Sequence, residues 1–470
     1  MRRVFLILAA FLMAMPIEAG AATIRVPSDE PTIQDGLDAA SCGDTVLVAQ
    51  GTYYEHDIMV KSGVCLRSES GSASSVTIDA QQHDFWAFAI GCMNVDAPTA
   101  IEGLTLTGGY FTPGGAMWCR NSSLTVRDVV FADNYSDEGG GLNCFNSSVV
   151  LEDVAFMNNW ANLAGGGLFA SDGSVLTLTG CLFAENAADP ERDALGGGIY
   201  CSDSSIELSD CQVVVNTGSG LCCFESSVSA MNSTLEQNTG RGVIFEAYEA
   251  QSTCALAGCD LVENARGGIE IAGYSGDATL VGCSVIGNAS EWRGGGLSAG
   301  SHTSVVLSGC TFADNEAPSG GGAAFGFLNA SAEISDCTFA GNHATEWGAA
   351  IFRDGWGGVV MVNSIVAFNT GPRPLAIAYD SQISCTDIWG NAAGDWVGGF
   401  EGHLGVNGNI CEDPLFCGDE NPAEPFTLHS GSPCASDCNP ECGQVGAWGV
   451  GCAVTVVKET SWGSIKAMYR

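Results

Sequence analysis

The chain has 470 residues, of which 54 are acidic and 16 basic, a formal charge of −38 at pH 7. A field of that sign repels phosphate backbones and polyuronates alike, which excludes nucleic acid as a partner. It favours cations, calcium among them, at the surface, and it keeps an exported protein soluble and unassociated.

Residues 1–21 carry Arg2 and Arg3, an apolar run from Val4 to Met15 and the small-residue site Ala19-Gly20-Ala21. This is the pattern of a secretory signal cleaved before Ala22. Export to the medium or the cell surface is therefore expected, and removal of the signal leaves 14 basic against 53 acidic residues, a net charge of −39. No later stretch is apolar for the roughly 18 residues that a membrane-crossing helix needs.

Residues 101–370 repeat one unit. Ten segments end in an asparagine, at Asn134, Asn159, Asn186, Asn216, Asn238, Asn264, Asn288, Asn315, Asn342 and Asn369, spaced by 22 to 30 residues. Aligned on it, the positions ten and eight before are apolar throughout, as in Leu124 and Val126 or Val305 and Leu307, with mainly polar or small residues such as Thr125, Glu207, Thr279 and Glu333 between. That period of two is a strand with one buried face. Six before the asparagine stands only Asp, Asn or Gly, from Asp128 to Asn363. These residues accept left-handed backbone cheaply, so a bend is expected there in every coil. A second short strand follows, with Val, Cys or Ser five before and Phe, Val or Leu three before the asparagine. A third opens after glycines such as Gly139–Gly141 and Gly165–Gly167. Three strands and three turns per coil stack like residue on like residue, which makes parallel, in-register sheets. The asparagines then form a ladder in which each amide donates to one neighbour and accepts from the other.

The repeats "LTGCLFAEN…GGGIY" and "LSGCTFADN…GGGAA" resemble those of right-handed parallel β-helix proteins of the pectin-lyase-like fold, in particular the secreted bacterial group with GGG and F-x-x-N repeats. The resemblance implies an all-β solenoid. It reads 22–100 as an N-terminal cap and first coils, with an amphipathic helix (Ile33, Leu37, Ala40) leading into a first strand at 45–49, and 371–452 as closing coils and a Cys-rich cap. Ten to eleven coils at about 4.8 Å would make a rod roughly 50 Å long, probed by a single chain expected to be monomeric. Residues 453–470 form a tail in which Lys466 and Arg470 flank Trp462, Ile465 and Met468, a sorting segment or a peptide docked on the cap.

The 22 cysteines fall into two classes. Those stacked at Cys259, Cys283, Cys310 and Cys337 would have Cβ atoms about 4.8 Å apart, beyond the usual disulfide range, and are expected as buried thiols. Cys411, Cys417, Cys434, Cys438, Cys442 and Cys452 crowd into a loop-rich end where crosslinks replace a missing core. Their spacing does not suit zinc. Calcium is possible at Asp189, Glu191 and Asp193 or at Asp419 and Glu420, but no EF-hand or nonapeptide calcium motif supports it.

Polysaccharide-cleaving enzymes share the resembled fold, so the resemblance also admits catalysis. Lyase chemistry wants carboxylates beside a basic residue, and hydrolysis wants two close carboxylates. Neither constellation is visible, and no catalytic residue is assigned. The bend column of aspartates is explained by backbone geometry. One turn carries Tyr135, Trp160, Trp292 and Trp347, with Glu138, Glu291 and Glu346. Aromatic faces beside carboxylates suit sugar rings, and equally they could pack on neighbouring turns and close the flank. The two function classes are a non-catalytic secreted or surface β-helix serving as adhesin, glycan-binding rod or envelope structural protein, and a polysaccharide lyase or glycoside hydrolase.

Overall fold

The computed structural model describes residues 21–81, 87–189, 195–248, 252–274, 276–326, 330–355, 358–378 and 380–452. The expected signal, apart from its last residue, the tail 453–470, and Glu191 and Asp193 lie outside them.

Three long sheets run the length of the rod. The first has 15 strands, from Thr23–Val26 to Gln382–Ser384; the second has 14, from Gly51–Tyr53 to Asp387–Trp389; the third has 13, from Ile58–Met59 to Leu375–Ala376. The chain visits them in that order in each coil. Pairing is parallel and in register, so that Leu124, Val149 and Leu176 lie over one another, as do Phe131, Phe156 and Phe183. The expected ten to eleven coils are too few. Rungs such as Cys65–Ser68 and Ala100–Glu102 before the first asparagine turn, and Gln382–Ser384 after Asn369, also belong to the first sheet. Fifteen strands at about 4.8 Å give a rod of roughly 70 Å.

The inward columns fill the core. Phe131, Phe156 and Phe183 are fully buried, and their rings stack at 4.6 and 4.5 Å with planes within 6°. Outward positions between them are mainly polar or small, as Thr125, Glu207, Thr279 and Glu333 are, because they face water. The corner from the first to the second sheet is made by the residue six before each asparagine, whose φ lies between 49° (Asp128) and 64° (Gly180) in all ten coils. A second left-handed residue stands immediately before each asparagine, and here the side chains vary: Asp133, Glu185, Val215 (φ 58°) and Phe368 (φ 60°) are among them.

Both ends of the rod are closed. Helix α1 (Ile33–Ala39) starts where the Thr32 hydroxyl accepts from the Asp35 amide at 3.0 Å, and it buries Ile33 and Leu37 on the open N-terminal end of the core. A strand at Thr23–Val26 precedes it and pairs with Thr45–Val48, which is thus the second strand and not the first. At the other end the chain turns back along the outer face of the second sheet. The Gly446 amide donates to the Asn363 carbonyl, the Ala447 amide to Thr338 Oγ1 and the Trp448 indole to Thr311 Oγ1, at 2.7, 3.0 and 2.7 Å. That strap crosses three successive rungs.

Two disulfides hold the strap, Cys385–Cys442 and Cys417–Cys452. Only three of the six clustered cap cysteines are therefore crosslinked, and one of them reaches outside the cluster to Cys385. Cys411, Cys434 and Cys438 are free; Cys434 is turned inward, where its thiol donates to Asp387 Oδ2 at 3.2 Å. The ladder thiols Cys259, Cys283, Cys310 and Cys337 are free and buried. Their sulfurs hydrogen-bond backbone carbonyls, as Cys283 does to Leu256 at 3.4 Å. Ser233 and Ser364 in the same column do the same with hydroxyls, so the thiol here serves as a small hydrogen-bonding core residue.

Candidate functional site

The asparagine turn positions the corner between the second and third sheets. From Asn134 to Asn369 each side-chain Nδ2 donates to the Oδ1 of the next rung at 2.9 to 3.1 Å. Its other hydrogen goes to a backbone carbonyl of the preceding coil, Asn159 to Phe131 at 2.9 Å for example. The backbone amide of each asparagine also donates to the next Oδ1. Each buried amide is thus satisfied on both sides, which a dry turn requires. The chain of amides extends to an eleventh asparagine, Asn391, whose amide groups both donate to Asp395 Oδ1 at 2.8 and 3.0 Å. All the side-chain amides point the same way, so their dipoles add, and the Asp395 carboxylate sits at the donor end, as an acid does at a helix N-terminus.

Just past the asparagines, short corner strands Tyr135–Glu138, Trp160–Ala164 and Ala187–Ala188 pair in parallel. Tyr110, Tyr135, Trp160 and Ala187 occupy one column. The Tyr110 and Tyr135 rings stack at 4.5 Å with planes 10° apart. Trp160 is 37% exposed, its indole N–H donates to Asn162 Oδ1 at 3.4 Å, and the next rung offers only Ala187, so Trp160 is the last aromatic residue of the column. Around it Asn162 donates to Asp137 Oδ1 at 2.7 Å; a lone turn asparagine carries no signal of this role in the sequence. Burial, then the charges of Asp137 and Asp172, push the Glu138 carboxyl above the usual carboxylate range.

Trp292 and Trp347 stand on the same corner but far along it. Their coils are those of Asn288 and Asn342, and five ladder steps separate Asn159 from Asn288, about 24 Å. Ala187, Thr217, Thr239 and Ala265 fill the rungs between, so the aromatics form two groups and no continuous stripe. Trp347, 45% exposed, is stacked on Phe352 at 6.1 Å and lies under the Arg373 guanidinium at 5.3 Å. Trp292 is 74% exposed, and Glu291 and Glu346 beside these indoles are exposed as well.

Residues 62–239 and 225–387 match the family model described as the right handed beta helix region. The chain belongs to that family. No curated protein matches this β-helix protein. Among solved structures it is similar to the A-module of the mannuronan C-5 epimerase AlgE4 of Azotobacter vinelandii, at 15% identity over 70% of this chain and 87% of that one, TM-score 0.36. It is also similar to pectate lyase Pel9A, at 11% identity over 92% and 97%, TM-score 0.33, and to the Streptococcus pneumoniae surface protein and adhesin PfbA, at 13% identity over 69% and 92%, TM-score 0.34. Likeness this distant concerns the fold alone.

Among the described residues, one group in the cap of the β-helix comes near to a three-ligand cation site. Glu420, His429 and Cys452 approach one another, but the Cys452 sulfur is bonded to Cys417 and is no thiolate ligand, so only two donors are left. Among the described residues no helix is long and apolar enough to cross a membrane.

Proposed function

We propose that this β-helix protein is a non-catalytic, extracytoplasmic binding rod that holds glycan chains at the corner of Tyr110, Tyr135 and Trp160. The observation that carries the reading is the exposed Trp160 in register with a stacked tyrosine pair on one side and Ala187 on the other. A sugar can lay its C–H face on such an indole while its hydroxyls reach polar groups beside it. Asp137 and Glu138 supply acceptors, and the Asn162 amide fixes Asp137. Trp292 is a second, isolated contact for a long polymer. Disulfides closing the cap support a location outside reducing compartments, secreted or at the envelope, because they persist there. The ion pairs among the described residues lie away from Asp137 and Glu138, so no arginine is held against these acids as lyase chemistry would need.

The test is a glycan array read with the intact chain and with Trp160→Ala. Binding that falls at least about fivefold in the variant, the worth of one well-placed ring contact, supports the reading; binding that survives the change removes it. Assays for new reducing ends and unsaturated products on the bound polymers, with calcium present, should stay blank. Turnover that depends on one acidic residue would make the protein a lyase or hydrolase instead.

A further inference from the structure

A different corner, where the third sheet hands over to the first, carries aromatics that the repeat pattern hides. Strands Leu221–Phe224, Val243–Ala247 and Ile269–Gly273 lie on consecutive rungs, with Phe224 paired to Glu246 and Ala247 to Gly273. Tyr248 and Tyr274 follow directly on the last two. The Phe224, Tyr248 and Tyr274 centroids are 6.2 and 5.8 Å apart, and each pair of ring planes is inclined by 56°. Rings so tilted do not cover one another's faces, unlike Tyr110 and Tyr135. Tyr274 is 65% and Tyr248 48% exposed.

Acids stand beside these rings, and three of the described ones, Glu246, Glu225 and Glu270, each hold a protein donor on one oxygen. The Tyr248 hydroxyl donates to Glu246 Oε1, the Tyr248 amide donates to Glu225 Oε1 at 3.0 Å, and Glu270 is paired with the Arg241 guanidinium at 2.7 Å. The hydrogen bond to Glu246, with the nearby negative charge, raises the Tyr248 phenol above its ordinary pKa, a sign of the local field. Open π faces in a negative field attract a cation. A primary ammonium or a guanidinium must trade its water for direct acceptors, and each of these three carboxylates already spends one oxygen on a protein donor. A methylated ammonium makes no such demand, and its polarised methyl groups rest against ring faces.

We propose that the corner formed by Phe224, Tyr248 and Tyr274 binds a quaternary ammonium group. The site is independent of the Trp160 corner and of any glycan bound there.

The experiment is a titration of the full chain with choline, followed by tyrosine fluorescence or ligand-observed NMR, against two controls: the uncharged tert-butyl analogue of choline and ethanolamine, its primary-amine counterpart. Choline should bind, and both controls should bind at least about fivefold more weakly. Tyr274→Ala removes the most exposed ring of the site and should weaken choline about fivefold with a melting temperature shifted by no more than a few degrees, because the side chain is 65% exposed; Trp160→Ala should leave choline binding unchanged. Equal binding of the tert-butyl analogue would show a merely apolar patch. Equal binding of ethanolamine would show an acid-bonded ammonium. Either result, or full choline affinity in Tyr274→Ala, overturns the proposal.

Discussion

Replacing Asn264 by alanine probes the ladder at its middle. The Asn264 side chain accepts from the Asn238 amide at 3.2 Å and from Asn238 Nδ2 at 3.0 Å, and it donates to the Leu235 carbonyl and Asn288 Oδ1, both at 3.0 Å. After the change Asn288 Oδ1 keeps the Asn264 backbone donor, and Asn238 Nδ2 keeps the Val213 carbonyl. The Asn238 backbone N–H and one hydrogen of its side chain are left without acceptors in a fully buried turn. Each orphaned buried donor costs roughly 1–3 kcal/mol, so the variant should lose about 4 kcal/mol. Equilibrium urea unfolding reads this as a lower midpoint at unchanged slope, with Ser229→Ala, on the exposed face of the first sheet, as a control that stays within about 0.5 kcal/mol. A loss under about 1 kcal/mol for Asn264→Ala would refute the reasoning, since the amides would then be satisfied by something other than one another.

Asp387 is buried in the last rung and burial pushes its carboxyl up to about 7, against the hydrogen bonds from the Glu412 amide and the Cys434 thiol. A carboxyl raised in the folded state binds its proton there more tightly than in the unfolded chain, so its contribution is full below pH ~4 and declines as pH rises to ~7. Asp387→Asn should flatten the fall of melting temperature over that window; an unchanged profile would assign it to other groups. Val215 holds a φ of 58° while half exposed, and Val215→Asn should gain about 1 kcal/mol in the same urea experiment because asparagine tolerates that region. Thiol titration of the chain denatured without reductant should count 18 free cysteines. In the native protein only the exposed Cys42 and Cys438 should react fast, and a count near zero would mean that the ladder thiols are crosslinked.

The sequence makes the solenoid readable where one physical demand admits few residues. The bend six before each asparagine takes only Asp, Asn or Gly, and the inward strand positions are apolar throughout. The left-handed residue next to the asparagine is not legible in the sequence because Val215, Glu185 and Phe368 occupy it too; there the stacked turn overrides the residue's own preference. Asn391 was hidden for a similar reason. Its bend position holds Cys385 at φ 47° and its outermost strand position holds Ser381, so the columns blur at the last rung. The rungs before residue 101 lack the asparagine and the glycines, so the repeat does not count them. At the aromatic corner the sequence shows which rings stand past the asparagines but not the spacing of their rungs, because a column reads as continuous only if its small members are noticed. Tyr248 and Tyr274 follow the third-sheet strands, where no repeated residue marks the position. The partner of Cys442 depends on where the strap returns, and nothing local encodes that.

Hydrogen exchange at the asparagine side chains tests the stacked rod most directly. With selectively labelled asparagine, NMR should show the Nδ2 hydrogens of the ladder from Asn134 to Asn369 exchanging as slowly as the backbone amides of the sheets, since both hydrogens of each are bonded and the groups are almost wholly buried. Side-chain amides exchanging at the rate of a free asparagine, while the backbone amides stay protected, would contradict the ladder and the vertical register that rests on it.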